Sequence, residues 1–157
     1  MNTYILKSKN ETETKQYAKE LASKLKKGDI VVLTGELGSG KTKFTEGILS
    51  YFDLEQEISS PTFTIVNEYH SNKMDIYHFD LYRLTDIYEF ENIGGEEYFN
   101  KGICIFEWGE LIEDILPENY LKITFSRIEQ DENSRKLQIE PYGDRFKDID
   151  FNNLSIQ

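Results

Sequence analysis

The stretch Gly35-Glu36-Leu37-Gly38-Ser39-Gly40-Lys41-Thr42 constrains this chain more than any other. It satisfies G-x-x-x-x-G-K-[ST] at every specified place, a pattern that cradles phosphate when a strand precedes it and a helix follows. Both flanks are present. Ile30-Val31-Val32-Leu33 is a continuous apolar run, as a parallel strand covered on both faces requires, and Phe44, Ile48 and Leu49 recur at helical spacing. Glycines at 35, 38 and 40 permit the close backbone approach that lets successive N–H groups curl around a β-phosphate, and the following helix adds its positive end. Lys41 then reaches the β- and γ-phosphates as a point charge, and the Thr42 hydroxyl supplies one position of an octahedral Mg²⁺ shell.

The length, 157 residues, predicts a single domain spanning 1–157, large enough to bury a core without staples. With 29 acidic against 18 basic side chains the formal charge is −11, which repels nucleic acid, so work on RNA would need a partner. Cys104, the single cysteine, sits in the apolar run Ile103–Phe106 and reads as a small buried hydrophobe. No disulfide framework, Cys/His cluster, leader pattern or apolar run of about 20 residues occurs, and a soluble cytoplasmic protein is expected.

Along the chain, Tyr4-Ile5-Leu6 reads as a short strand. Asn10 with Glu13 resembles a capping box, opening a helix whose apolar face is Tyr17, Ala18, Leu21, Ala22 and Leu25 and whose stop is Gly28. Ser59-Ser60-Pro61 breaks the pattern after the second helix. Residues 63–69 and 74–82 read as a hairpin around the turn 70–73, with His78 packed and hydrogen-bonded inside its second strand. A short helix over 85–90, a Gly94-Gly95 break and a helical turn over 96–99 follow. Ile103–Phe106 is the second core strand, and Leu111, Ile112, Ile115 and Leu116 mark a helical face stopped by Pro117. Residues 120–125 and 136–140 read as strands around an acidic loop, 129–133, and the tail from Pro141 as a weak helix through Phe146, Ile149 and Phe151.

A phosphate loop needs a carboxylate at the C-terminal end of a neighbouring strand, to hold the metal and to orient the attacking water. Glu107 and Asp80 each end an apolar run and qualify; the pattern alone does not say which lies nearer that water. Ser60-Pro61-Thr62 has the chemistry of a switch, a hydroxyl on a stiffened loop. Asn72-Lys73-Met74-Asp75 matches the guanine-reading N-K-x-D pattern but falls in a polar turn about thirty residues after the loop, and no Asp has Gly three places later. ATP is therefore expected rather than GTP.

With Gly35–Thr42, Ser60-Pro61-Thr62-Phe63, His78-Phe79-Asp80-Leu81-Tyr82-Arg83 and Glu107-Trp108 in order, the chain resembles the TsaE (YjeE) family from about Thr14 to Leu137. The resemblance implies a three-layer α/β P-loop NTPase fold, a mixed sheet with parallel core strands and antiparallel hairpin additions. It implies ATP and Mg²⁺, slow hydrolysis without partners, and a role in forming N6-threonylcarbamoyladenosine on tRNA. The implied partners are TsaD and TsaB, with tRNA met only through that complex. By the same resemblance, Lys41 and the loop residues Glu36, Leu37, Gly38, Ser39 and Gly40 hold phosphates, and Thr42 and Glu107 hold magnesium. Asp80 serves hydrolysis, Thr62 the switch, and Trp108 lies against the site. Thr14 and Arg135 flank the nucleotide, and Lys43, where the family often has Thr, adds charge nearby. Two rivals remain open: a small-molecule or nucleoside kinase, and a regulatory subunit that binds ATP without cleaving it.

Overall fold

The computed structural model describes residues 3–36, 40–55, 66–81, 84 and 86–154. Ile30-Val31-Val32-Leu33 forms the middle of β2 (Ile30–Gly35), and all four residues are essentially inaccessible to solvent. Such a strand has no solvated face and must be covered twice. Alternation sends Val31 and Leu33 to one side of the sheet and Ile30 and Val32 to the other, and each side has its own core.

Among the described residues, seven strands make one sheet in the order β1-β7-β6-β2-β5-β4-β3. β5 (Ile103–Glu107) and β6 (Tyr120–Ile128) pair parallel with β2, and β4 (Asp75–Asp80) pairs parallel with β5. Antiparallel additions close both ends: β3 (Val66–His70) on β4, and β7 (Asp131–Tyr142) with β1 (Tyr4–Ser8) beyond β6. The expected mixed α/β sheet, parallel in its centre, is what forms.

One face carries α1 (Glu11–Ala22) and α2 (Lys41–Tyr51), packed on each other through Ala18, Leu21, Phe44 and Ile48. The other carries α3 (Ile87–Asn92) and a 3-10 segment, Gly109–Ile115, over an aromatic cluster. There Phe79 and Phe106 stack at 4.6 Å between ring centroids, with Phe90 edge-on to both. Offset and edge contacts of this kind add about 0.5–1.5 kcal/mol each beyond the area they bury. Cys104 lies in this layer, its thiol pushed up to about 12 by burial, which leaves it unreactive. No helix among the described residues is long and apolar enough to cross a membrane.

At α1 the Asn10 side chain accepts from the Glu13 N–H at 2.9 Å, while Glu13 Oε1 accepts from the Lys9 N–H at 2.8 Å, one residue ahead of the usual capping-box donor. The helix ends at Ala22, earlier than its apolar spacing suggests. Lys24 and Leu25 donate to Leu21 and Ala22, tight turns that steer the chain toward β2 while Leu25 stays buried.

Three readings of the C-terminal half are corrected. Residues 129–133 are not an acidic loop: only Glu129 and Gln130 lie between the strands, and β7 begins at Asp131. Polarity reported exposure there, whereas Asp131 pairs with Ile128, the ladder shifts register before Arg135 pairs with Arg127, and the Ser134 hydroxyl donates to Asp131 Oδ2 at 2.7 Å. The face around Ile112 is 3-10 rather than α, a difference that apolar spacing alone does not resolve. The tail folds as 3-10 turns, Asp144–Phe146 and Phe151–Asn153, pinned by buried Phe146 and Phe151 and by Arg145, which donates to both carboxylate oxygens of Asp29 at 3.1 and 2.8 Å. The helix expected over 85–90 begins at Ile87 behind the Asp86 cap; residues 63–65, 82 and 85 of the expected elements lie outside the described residues.

Gly47 on α2 touches α1 so closely that an added Cβ would sit 2.5 Å from the Lys15 carbonyl oxygen and 2.6 Å from Ala18 Cβ. Gly→Ala inside a helix ordinarily gains about 1 kcal/mol. Here overpacking reverses the sign, and Gly47→Ala is expected to lose about 1–2 kcal/mol net, measured as a lower urea midpoint at unchanged slope.

Candidate functional site

Parallel pairing brings the C-terminal ends of β2, β5 and β4 to one edge of the sheet, and the register puts Leu33, Glu107 and Asp80 in a row. β2 ends at Gly35, whose φ of +126° and contact with the Phe125 backbone leave no room for a side chain. α2 begins at Lys41 behind Gly40, which offers no side-chain cap. The first amides of α2 therefore receive no side-chain acceptor from their cap residue, an arrangement that suits an anion.

Lys41 is 6% exposed. Its ammonium donates to the Gly35 carbonyl at 2.6 Å and the Glu36 carbonyl at 3.1 Å, and lies 3.8 Å from the centre of the Trp108 ring. Trp108 reaches that place with a left-handed backbone, φ +62°, which costs a non-glycine residue about 1–2 kcal/mol. Strain of this kind persists where surrounding structure holds it, often at functional sites. Burial pulls the Lys41 ammonium below its ordinary pKa, against the opposing pull of Glu107, Glu110 and Asp80. A desolvated cation facing open amides is a strong attractor for phosphate.

Asp80 and Glu107 stand opposite each other on neighbouring strands, Asp80 exposed and Glu107 8% exposed. Glu107 Oε2 meets His78 Nε2 at 2.7 Å. Together with Lys41, Thr42 and Trp108 these carboxylates line a cleft of about 280 Å³, at the lower end of small-molecule sites. Thr14 and Arg135 also line it, close to Gly40. The Thr14 hydroxyl is shared with Ser8 at 2.6 Å, and the Arg135 guanidinium donates to the Glu132 and Ser134 carbonyls at 2.6 and 2.8 Å, so both side chains are braced.

The structure thus gathers Thr14, Gly40, Lys41, Thr42, Asp80, Glu107, Trp108 and Arg135 around one cleft. Glu36 does not line it and meets Lys41 only through its main-chain carbonyl. Leu37, Gly38, Ser39 and Thr62 lie outside the described residues. The guanine-like run forms the turn and first residue of a hairpin strand, Asp75 bonding to His70, and none of its residues lines the cleft. Glu11 and Asn133 do line it without having been singled out. His78 is packed and hydrogen-bonded within β4 as expected; what the sequence did not name is its partner, Glu107.

A family model described as "Threonylcarbamoyl adenosine biosynthesis protein TsaE" matches residues 8–137. The chain belongs to the TsaE family. Among curated TsaE proteins, one from Bacillus subtilis is 41% identical over 88% of this chain and 85% of its own length. Another, from Rickettsia felis, is 40% identical over 90% and 82%. The crystal structure of Bacillus subtilis YdiB superposes with a TM-score of 0.75 at 33% identity, covering 93% of this chain and 90% of that one.

The donors of this TsaE chain suit a magnesium nucleotide. Among the described residues no group of three His, Cys, Asp or Glu is arranged to hold a metal. One hydroxyl and one carboxylate, Thr42 and Glu107, are hard oxygen ligands of the kind Mg²⁺ takes when phosphates and water complete its shell. In the ligand-free protein, the Lys41 ε-methylene NMR signal is expected to titrate below the ordinary lysine range. Titration at or above that range would mean that the carboxylates outweigh burial.

Proposed function

We propose that this TsaE-family chain is the Mg²⁺-dependent ATPase subunit of tRNA threonylcarbamoyladenosine formation, acting in the cytoplasm with TsaD and TsaB. One observation carries the reading: the uncapped start of α2, the desolvated Lys41 ammonium and two strand-end carboxylates all face the same cleft. The relatives' names place them in this modification of tRNA, and the family membership brings the role to this chain. A formal charge of −11 suits a subunit that meets tRNA through its partners.

The amides of the loop and of α2's first turn bind the phosphates, with Leu37, Gly38 and Ser39 as loop donors. Lys41 then exchanges its carbonyl partners for phosphate oxygens, a trade in which a charge-assisted bond replaces neutral ones. Thr42 and Glu107 hold Mg²⁺, which when bound neutralises charge on the phosphate oxygens. Asp80, exposed at the strand end beside Glu107, orients the attacking water, and Thr62 supplies the switch hydroxyl. Trp108 keeps water from the Lys41 side, and Thr14 and Arg135 fix the nucleoside end. Hydrolysis resets the TsaD–TsaB complex.

Lys41→Ala is expected to weaken ATP binding at least tenfold, the scale of one lost charge-assisted contact, as read by calorimetry. Asp80→Ala is expected to bind ATP like the parent yet lower turnover by about 10²-fold or more; turnover at the parent rate would remove Asp80 from the reaction. Phosphate release, low alone and raised by TsaD–TsaB, is the deciding measurement. Release that rises instead with a small acceptor would indicate a kinase, and binding without release under any condition a regulatory subunit.

A further inference from the structure

The hydrogen bond between His78 and Glu107 joins the middle of β4 to the mouth of the cleft. Along β4 and β5 the side chains of Ile76, Ile103 and Ile105 face α1 and α2, so His78, Asp80 and Glu107, which keep the same alternation, face that side too. The His78 and Glu107 side chains are only 14% and 10% exposed. An ionised carboxylate only accepts, so the bond requires the proton on Nε2. Lys41 is close enough to feel the Glu107 charge, yet its ammonium bonds to the Gly35 and Glu36 carbonyls. His78 supplies this carboxylate with an orienting hydrogen bond.

We infer that His78 is a positioning residue: its Nε2–H holds Glu107 in the rotamer that receives the divalent cation accompanying the nucleotide. The inference deepens the ATPase reading and rests on it. A carboxylate at a strand end has several rotamers open to it, and a cation site loses affinity when its ligand must be ordered on binding. With one oxygen tied to a ring that β4 holds rigidly, that ordering is complete beforehand. Partners that hold ligands in this way typically account for about 10–100-fold in metal affinity.

Three substitutions separate positioning from packing. His78→Phe keeps the ring and removes the donor. His78→Gln brings an amide N–H close to where Nε2 stands, and His78→Asn carries its N–H too short to reach Glu107 Oε2. The full-length protein, loaded with a non-hydrolysable ATP analogue, is titrated with Mn²⁺ by electron paramagnetic resonance, and analogue binding is measured separately in EDTA. His78→Phe and His78→Asn are expected to weaken Mn²⁺ binding by about 10–100-fold while leaving analogue affinity in EDTA unchanged, and His78→Gln to recover most of the loss. Thermal unfolding without metal confirms which variants are folded, and either donor-less variant suffices.

Equal Mn²⁺ affinity in the parent and the donor-less variants, or a His78→Gln protein as impaired as His78→Asn, overturns the inference while the ATPase reading stands. A parent whose nucleotide complex takes up no Mn²⁺ overturns the reading itself and the inference with it.

Discussion

Parallel pairing of β2, β5 and β4 is the constraint from which the rest of this structure follows. Parallel strands end together at one edge, so Gly35, Glu107 and Asp80 meet although about seventy residues separate the first two in sequence. The same pairing leaves β2 and β5 without a wet face. Two cores follow, a larger mixed one under α1 and α2 and one rich in aromatic rings under α3 and the segment 109–115. The chemistry of the cleft is thus a by-product of how the sheet must be buried.

The electrostatics run against the charge of the whole molecule. A chain of formal charge −11 keeps one lysine desolvated at the cleft and surrounds it with carboxylates. Its ammonium rests on two carbonyls and an indole face, partners that an incoming phosphate can replace. The strained backbone at Trp108 and the side-chain-free edge at Gly35 shape that resting place. Neither would be tolerated without the strands that hold them.

Much of this was legible beforehand. The phosphate-loop pattern singled out Gly40, Lys41 and Thr42, and the expectation of a carboxylate at a strand end singled out Asp80 and Glu107, each after an apolar run; all five do line one cleft. Elements were misread where the local signal had two solutions. Acidic residues at 129–133 are as compatible with an exposed hairpin strand as with a loop, and short apolar spacing near Ile112 does not separate 3-10 from α. Glu11 and Asn133 gave no signal, since they reach the cleft only through the docking of α1 and β7.

Sequence by itself determined the order strand, glycine loop, helix, the residue types that can bind phosphate and a hard cation, and the two-faced burial of β2. These are local properties, set by spacing and side-chain chemistry within a few residues. Tertiary structure alone decided that Lys41 lies under Trp108, that Arg135 and Thr14 join the lining close to Gly40, and that His78 bonds to a carboxylate 29 positions away. Those facts depend on which strands are neighbours and in what register. A sheet sets these through long-range pairing energies that no short window of sequence contains.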